Sequence, residues 1–508
     1  MLLKLFGLTI LVFSLLVVGL ALPRASLQAP EPTYLLLDRQ HRFVAEISQD
    51  VNRGHGFWPI KTWPKRVIEA TLAREDRRFW HHPGIDVIAV ARALFQNISA
   101  GRRISGASTL AMQVARMQSN GERTYFNKAI EAVTALLLTA KYDREEILEH
   151  YLRLVPYGNQ IYGISYAAER YFSKTVEDLS WAEIALLAAI PQSPTLNNPL
   201  RPKGRIRAQH RAEMILRELK KQLLISEAQY QLAITQLQTF DFPAPQPREP
   251  GALHSIFKLQ QQIEKHKTAL DSFRIETTLD LALQMRIQAM TRDFKKHWQN
   301  SGATNVAVVV LDTASSEVLV WSGSSDYFDK EAGAIDFIQQ PRSSGSTLKP
   351  FIYALALDRG DISAATLLAD LVSVSHGLSN SDNRFLGPML PRQALANSRN
   401  IPALNLIRKI GIEHSYQFLR ELGLHDDTLP ARHYGSGLAI GALPVTLEAL
   451  MQAYGALAND GQLKKLRWFR QQPQIPADYV LTANVARQIN LFPSDPQARL
   501  PSFPRIGT

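Results

Sequence analysis

The sequence predicts a multidomain chain in which an apolar N-terminal helix precedes a mainly helical domain and then an α+β domain. Three observations predict this order. The chain has 508 residues, which is more than one ordinary hydrophobic core holds. Residues 5–22 carry no charge. Beyond a proline-rich stretch at residues 240–251, the apolar residues change from helical spacing to the alternation typical of strands.

Composition limits the classes of function. Hydrophobic residues make up 45% and charged residues 20% of the chain, which is typical of a globular protein and excludes a disordered or collagenous one. The formal charge of +11 indicates an anionic partner. The sequence has no zinc-ligand pairs, recognition-helix signal or aromatic-rich basic motif, so we expect no nucleic acid partner, and anionic lipid fits better. Without cysteine, disulfides, thiol nucleophiles and cysteine-bound metals are excluded, and we predict no metal ligands.

The uncharged stretch at residues 5–22 is predicted to be a membrane anchor. A helix of that length rises about 27 Å, close to the roughly 30 Å of a bilayer's hydrocarbon core. We therefore predict a single-pass transmembrane helix within residues 1–25. The alternative is a cleaved signal peptide, because Ala21 and Ala25 are small, but Pro23 disfavours cleavage at this point.

Two shorter patterns follow the anchor. Alternating apolar and polar residues at 34–49 predict a hairpin of two strands, within a short β segment at residues 26–60 that leads into the first domain. From Pro64 onward the spacing is helical. The apolar run at residues 87–95 has two interpretations that stay open: a buried helix, or a helix that dips into the lipid surface.

The densest group of reactive side chains lies at residues 75–86, where acidic, aromatic, imidazole and glycine residues stand together. Two carboxylates open this stretch and two arginines follow them, so Glu75 is suited to act as a base beside a bound anion. On their own, such charged residues are more typical of a solvated helix turn. Two further blocks, residues 106–116 and 127–131, favour the catalytic interpretation.

Together the three blocks resemble the peptidoglycan glycosyltransferase domain of family 51. That family's first motif is E-D-x-x-F-x-x-H-x-G-x-D, and its fixed positions are filled here by Glu75, Asp76, Phe79, His82, Gly84 and Asp86. Similar sequence continues at residues 151–159 and 179–194, so the resemblance covers residues 45–215. It implies a mainly α, lysozyme-like glycosyltransferase domain at residues 61–215.

The resemblance also implies a reaction. A sugar hydroxyl of a lipid-linked disaccharide-peptide (lipid II) displaces the diphosphate-lipid of a growing chain, which gives a β-1,4 glycan with inversion. Glu75 is the expected base and Glu131 the second catalytic carboxylate. No cofactor is required, although a divalent cation (Mg or Mn) is an expected aid at the diphosphate. The expected substrate-binding residues are Asp76, Phe79, His82, Ser108, Thr109, Gln113, Arg116 and Lys128. This sequence departs from the family's pattern at Asn127 and Arg153.

The sequence pattern changes after residue 215. Residues 216–265 are predicted to form a helical and proline-rich linker. Residues 266–508 are predicted to form an α+β domain, in which residues 307–312 and 318–323 form two strands about a turn.

Ser346 and Lys349 are the predicted catalytic residues of this second domain. The apolar run after them places Ser346 at a helix start and Lys349 one turn later, where an amine is able to relay the serine proton. With Ser398 and Asn400 as substrate-binding residues, they resemble the penicillin-binding transpeptidase domain, whose serine is acylated by D-alanyl-D-alanine stems and by β-lactams. The family's third motif has one candidate, residues 505–508, in which Arg505 and Ile506 stand at the positions of the usual lysine and threonine. We therefore expect a domain truncated at this motif that acylates poorly or not at all.

Both resemblances together imply a class A, bifunctional penicillin-binding protein in the cytoplasmic (inner) membrane, with the bulk of the chain in the periplasm. Its expected partners are lipid II, nascent glycan strands, membrane lipids and other cell-wall synthesis proteins. Two alternatives stay open: a glycan-cleaving lytic enzyme with one protonating carboxylate, and a catalytically dead scaffold. The cations around Lys128 have no use in cleavage and favour the transferase.

Overall fold

The computed structural model forms two compact units. The first unit comprises residues 1–35 and 46–246, and the second comprises residues 36–45 and 247–508. The structure describes residues 2–48, 54–60, 63–101, 108–119, 124–240, 242, 248–266, 272–372, 379–426, 428–472 and 476–500.

The first unit is mainly helical, in agreement with the pattern of its sequence. Its helices are α1 (Leu2–Ala21), α2 (Lys65–Glu75), α3 (Val87–Ala100), α4 (Leu110–Ser119), α5 (Tyr125–Lys141), α6 (Arg144–Leu154), α7 (Ile164–Phe172), α8 (Trp181–Ala189), α9 (Pro202–Lys221) and α10 (Glu227–Thr239).

Helix α8 lies in the core of the first unit and fixes the helix that carries Glu75. Ser180 caps its start, because the Ser180 Oγ accepts from the Glu183 N–H while the Glu183 carboxylate accepts from the Ser180 N–H. Its apolar side chains are almost entirely buried and pack against α2, α9 and α10. Burial of this apolar surface holds α2 in place, so its last residue, Glu75, has a defined position.

The N-terminal helix α1 packs against α5. Val17 and Ala21 are buried there with Ile130. Other apolar side chains of α1, such as Leu11 and Leu15, are exposed. Among the residues that the structure describes, no helix combines the length and the apolar character needed to cross a bilayer.

The predicted hairpin is present as β1 (Tyr34–Leu37) and β2 (Phe43–Ile47), and it lies in a sheet of order β2-β1-β5 with β5 at Arg274–Glu276. Leu37 O accepts from Thr277 N at 2.8 Å. The turn of the hairpin, residues 36–45, therefore belongs to the second unit. This corrects the prediction that the whole segment 26–60 leads into the first domain.

The second unit mixes helices with short strands. Its further strands are β6 (Val308–Leu311), β7 (Val318–Ser322), β8 (Arg342–Ser343), β9 (Leu368–Asp370), β10 (Gly387–Met389), β11 (Pro444–Val445), β12 (Gln462–Leu463) and β13 (Asp478–Tyr479), while β3 (His55–Gly56) and β4 (Ile161–Tyr162) belong to the first unit. The helices of the second unit are α11 (Leu253–His266), α12 (Leu281–Trp298), α13 (Lys349–Asp358), α14 (Pro391–Ala396), α15 (Asn400–Ile410), α16 (Ile412–Glu421), α17 (Leu447–Ala458) and α18 (Ala483–Ser494).

Two features of the second unit bear on the sequence predictions. Strands β6 and β7 pair antiparallel from Val308 opposite Ser322, which confirms the predicted strand pair. Helix α11 buries Ser255 and Lys258, and the Lys258 ammonium contacts the Glu448 carboxylate at 2.6 Å. Residues 253–265 are therefore part of the second unit rather than of the predicted linker.

Helix α13 lies in the hydrophobic core of the second unit. Phe351, Ile352 and Tyr353 follow Lys349 directly and are fully buried. This burial anchors the helix, so Lys349 is held at its first position inside the protein.

Candidate active sites

The Glu75 carboxylate is held by a partner from another helix. Glu75 ends α2 and is half-buried. The Gln113 Nε2 on α4 donates to Glu75 Oε2 at 2.9 Å. A side-chain amide that donates to one carboxylate oxygen orients that carboxylate and leaves its other oxygen able to accept a proton.

Buried aromatic and cationic side chains surround Glu75. Tyr151 and Tyr157 are almost fully buried. Burial raises the pKa of each tyrosine, and the Glu75 charge raises both pKa values further. The positive charge of Arg116 acts in the opposite direction and lowers the pKa of Tyr151. Burial lowers the pKa of Arg211, and the neighbouring Arg74 lowers it further while Glu75 opposes this. Glu75 therefore lies among phenol and guanidinium groups in a partly dry environment.

The side chains of Asp76 and His82 form a buried pair directly after Glu75. The His82 Nε2 contacts Asp76 Oδ1 at 2.9 Å. The Gly84 N–H donates to His82 Nδ1 at 3.2 Å, which leaves Nε2 as the nitrogen that donates to Asp76. Asp76 Oδ2 also accepts from the Leu110 N–H at 3.0 Å, so it caps the first turn of α4.

Thr109, the residue before α4, also joins α4 to the loop after Glu75. Its hydroxyl donates to Gly84 O at 2.6 Å and accepts from the Met112 N–H at 3.2 Å. Of the residues expected to bind substrate, four have buried side chains and face the protein interior: Asp76, Phe79, His82 and Thr109. The structure therefore places them where they position Glu75 and α4, and not at the accessible surface of the site.

The remaining predicted residues of the first site are more accessible. Ser108 and Arg116 are half-buried, and Lys128 is exposed. Helix α5 carries Lys128 and Glu131 three residues apart, on one face, and it packs against α4. Glu131 is half-buried. The helix that carries Gln113 and Arg116 therefore packs against the helix that carries Lys128.

Helix α3 presents an apolar face to solvent. Asp86 caps the helix by accepting from the Ile88 and Ala89 N–H groups, both at 3.0 Å. Phe95 is 74% and Ile98 71% exposed. We use the term α3 apolar face for the exposed side chains of Val87, Ile88, Val90, Leu94, Phe95 and Ile98. The first of the two interpretations of residues 87–95, a buried helix, is therefore wrong.

The second site is centred on the buried Lys349. Its Nζ donates to Ser398 O at 2.6 Å, to Ser398 Oγ at 3.1 Å and to Asn400 Oδ1 at 2.7 Å. Burial lowers the pKa of Lys349 to about 8, with the nearby Arg399 as a second cause. The structure thus brings together three of the four predicted residues of this domain.

Ser346 takes no part in these hydrogen bonds of Lys349. It lies in a short helical turn at residues 345–348, and its side chain is exposed. Among the described residues, every hydrogen bond of the Lys349 ammonium goes to Ser398 or Asn400 and none to Ser346. The candidate third motif, residues 505–508, lies outside the described residues.

Several residues near the sites were not found by sequence reasoning. Asn397 is buried, donates to Ala498 O at 2.7 Å and accepts from Leu500 N at 2.8 Å, directly before Ser398. Arg144 donates to the backbone of the loop after Glu75. Tyr151 places a buried hydroxyl near Glu75, and this hydroxyl has no hydrogen-bond partner in the described part of the chain. Their roles depend on tertiary contacts with backbone atoms, which leave no pattern in a single sequence.

Comparison with known proteins gives the class of each unit. Residues 40–220 match the transglycosylase family, and residues 306–491 match the penicillin binding protein transpeptidase domain. The chain belongs to the class A penicillin-binding proteins.

Its relatives include penicillin-binding protein 1C of Escherichia coli (strain K12), which is 33% identical over 463 residues, with 89% of this chain and 58% of the relative covered. Penicillin-binding protein 1A of Streptococcus oralis is 29% identical, with 78% and 65% covered. Penicillin-binding protein 1B of Escherichia coli (strain K12) is 30% identical, with 84% and 52% covered. The chain thus spans about half to two thirds of the length of these relatives.

Proposed function

We propose that the first unit is a peptidoglycan glycosyltransferase that polymerises lipid II into β-1,4-linked glycan strands. The observation that carries this proposal is the Glu75 carboxylate, which Gln113 holds at 2.9 Å within the residues that match the transglycosylase family. A sugar hydroxyl is a poor nucleophile near neutral pH, so the reaction needs a positioned base. Glu75 supplies that base.

In the proposed step, the acceptor hydroxyl attacks the anomeric carbon of the donor sugar. The new C–O bond forms as the bond from that carbon to the lipid diphosphate breaks. The hydroxyl proton moves to Glu75, and the electron pair leaves with the diphosphate. Attack opposite the leaving group inverts the anomeric centre, so an α-linked donor gives a β-linked glycan.

Cations on α4 and α5 stabilise the leaving diphosphate. Arg116 and Lys128 form no ion pair within the described residues, so their charges are available to a phosphate. Glu131 orients a cation or the leaving group from the same face of α5. Ser108 and Gln113 supply hydroxyl and amide contacts, while four buried residues position the others: Asp76, Phe79, His82 and Thr109.

A divalent cation at the diphosphate (Mg or Mn) remains part of the proposal as an aid that the substrate itself binds. The described residues contain no group of three or more His, Asp or Glu side chains placed to hold a metal ion. In this proposal, Arg116 and Lys128 supply positive charge from the protein at the leaving diphosphate.

The proposed location is the cytoplasmic membrane, with the bulk of the chain in the periplasm, where lipid II, nascent strands and membrane lipids are the partners. Two features support it: the apolar sequence of α1 and the α3 apolar face, which exposes Phe95 and Ile98 on the helix that follows the loop after Glu75. Membranes washed with alkaline carbonate or molar salt should retain the protein, and detergent should release it. Release by salt alone would contradict an apolar anchor.

The second unit is proposed to react weakly with β-lactams. Lys349, Ser398 and Asn400 are assembled, but Ser346 is exposed and has no bond to Lys349. The third motif supplies donors where charge develops in acyl transfer, and its candidate at residues 505–508 has Arg505 and Ile506 at the positions of the family's lysine and threonine.

The test of the glycosyltransferase is incubation of the purified chain with lipid II, followed by gel separation of the products and digestion with a muramidase. Polymer that the muramidase degrades is the expected result. Cleavage of preformed glycan without polymer would overturn the proposal in favour of a lytic enzyme. If the chain makes no polymer and cleaves no glycan, the result would favour a catalytically dead scaffold.

A further inference from the structure

The loop between Glu75 and α3 accepts hydrogen bonds from side chains of other segments. Three side chains from outside the loop donate to its backbone carbonyls. Thr109, just before α4, donates to Gly84 O, and Thr139 on α5 donates to Pro83 O, both at 2.6 Å. Arg144, the first residue of α6, donates to Phe79 O and to His82 O. This loop therefore owes its conformation to neighbouring helices as well as to its own turns.

Arg144 makes two of these four hydrogen bonds, and each threonine makes one. Its two terminal nitrogens bind two different carbonyls of the loop, and its guanidinium lies 5.8 Å from the centre of the Phe79 ring. Charge-assisted bonds of this kind are stronger than those from a neutral hydroxyl. The planar fork also fixes the distance between the two carbonyls it binds.

The loop connects directly to the proposed base. Asp76 follows Glu75 and caps α4 through the Leu110 N–H, and His82 holds Asp76 from within the loop. A shift of the loop therefore moves the end of α2 relative to α4. Such a movement would change the 2.9 Å hydrogen bond between Gln113 on α4 and Glu75 on α2.

We propose that Arg144 is a positioning residue for glycosyl transfer: it fixes the loop after Glu75 and thereby keeps the Glu75 carboxylate aligned with Gln113. Arg144 acts through backbone carbonyls and does not touch substrate. This inference rests on the proposed glycosyltransferase function.

The chain offers a matched control on the same helix. Arg153 also ends in a guanidinium that donates to two backbone carbonyls, Phe57 O at 2.6 Å and Pro30 O at 3.1 Å. Neither carbonyl belongs to the loop after Glu75. Arg144→Gln and Arg153→Gln thus remove the same kind of bond from the same helix, and only the first one affects the loop.

The experiment measures polymerisation of lipid II per folded molecule, with the folded fraction taken from circular dichroism at the assay temperature. Arg144→Gln should lower kcat about tenfold with little change in KM, because misplacement of a catalytic group affects the transition state more than substrate binding. Arg144→Lys should recover part of this loss. Arg153→Gln should leave kcat per folded molecule within about twofold of the wild type.

A double-mutant cycle separates positioning from general loss of structure. If Arg144 acts through the contact between Gln113 and Glu75, the effect of Arg144→Gln should shrink to about twofold in a Gln113→Ala background. Equal effects in both backgrounds would overturn the inference, as would a kcat of Arg144→Gln equal to that of Arg153→Gln. A wild-type protein that makes no polymer would instead overturn the proposed function itself.

Discussion

The two candidate sites differ in whether the group that must react is held by its neighbours. In the first unit, Glu75 accepts a hydrogen bond from Gln113, and the residues after it are fixed by buried bonds. In the second unit, Lys349 is held by three bonds, but Ser346 is exposed and unattached to it. The structure therefore joins the predicted partners of the second site to one another without a hydrogen bond from Lys349 to the predicted nucleophile.

Apart from the loss of Glu75 itself, the largest effect that sharpens this comparison is expected at Glu131. Glu131→Gln keeps the size of the side chain and removes its charge, so polymerisation of lipid II should fall by about a hundredfold or more while the fold is retained. Polymerisation rates and thermal unfolding of both proteins check this. A rate within a few-fold of the wild type would show that Glu131 is not a catalytic carboxylate.

The second prediction concerns labelling of the second unit by a fluorescent penicillin, read after denaturing electrophoresis. Labelling should be weak, because Ser346 has no hydrogen bond to Lys349 and the candidate third motif carries Arg505 and Ile506 at the positions of the family's lysine and threonine. Ser346→Ala serves as the control for non-specific signal. Strong labelling that disappears only in this control would show a competent domain and contradict the comparison.

The third prediction is the pH dependence of any residual acylation. Burial lowers the pKa of Lys349 to about 8, so the neutral amine that accepts a proton increases as pH rises through that value. The rate of labelling should rise about tenfold between pH 7 and pH 9 and then level off. A rate that falls over this interval would exclude neutral Lys349 as the base.

The smallest effect is expected at Lys128. This side chain is exposed, so water and salt weaken its attraction to a phosphate. Lys128→Ala should raise the KM for lipid II about fivefold and change kcat less. If neither parameter changed, the contact with the diphosphate would belong to other cations, with Arg116 as the first candidate.

Sequence reasoning found the residues of both sites because the spacing of reactive side chains in a motif indicates the reaction that they serve. It found Glu75 with Gln113, and Lys349 with Ser398 and Asn400, and each set is joined by hydrogen bonds. The spacing of residues along the chain does not show whether their side chains are buried or exposed. Asp76, His82 and Thr109 belong to the same motifs, but their side chains point inward and support helices.

The parts that sequence reasoning missed depend on contacts between distant segments. Lys258 on α11 is buried against Glu448, and no local pattern distinguishes such a helix from a linker helix. Arg144 contacts carbonyls more than 60 residues away in sequence, and any residue type supplies a carbonyl. Backbone acceptors carry no sequence signal, so a donor to them is visible only in the folded chain.

The most direct test of the account is the rate of glycan polymerisation by Glu75→Gln. This substitution preserves size and hydrogen-bonding shape but removes the proton acceptor, so Gln113 and the buried pair of Asp76 and His82 should keep their places. The account predicts that polymer falls below detection, a loss of about a thousandfold, while thermal unfolding and membrane attachment match the wild type. Undiminished polymer from a folded Glu75→Gln protein would contradict the assignment of Glu75 as the base.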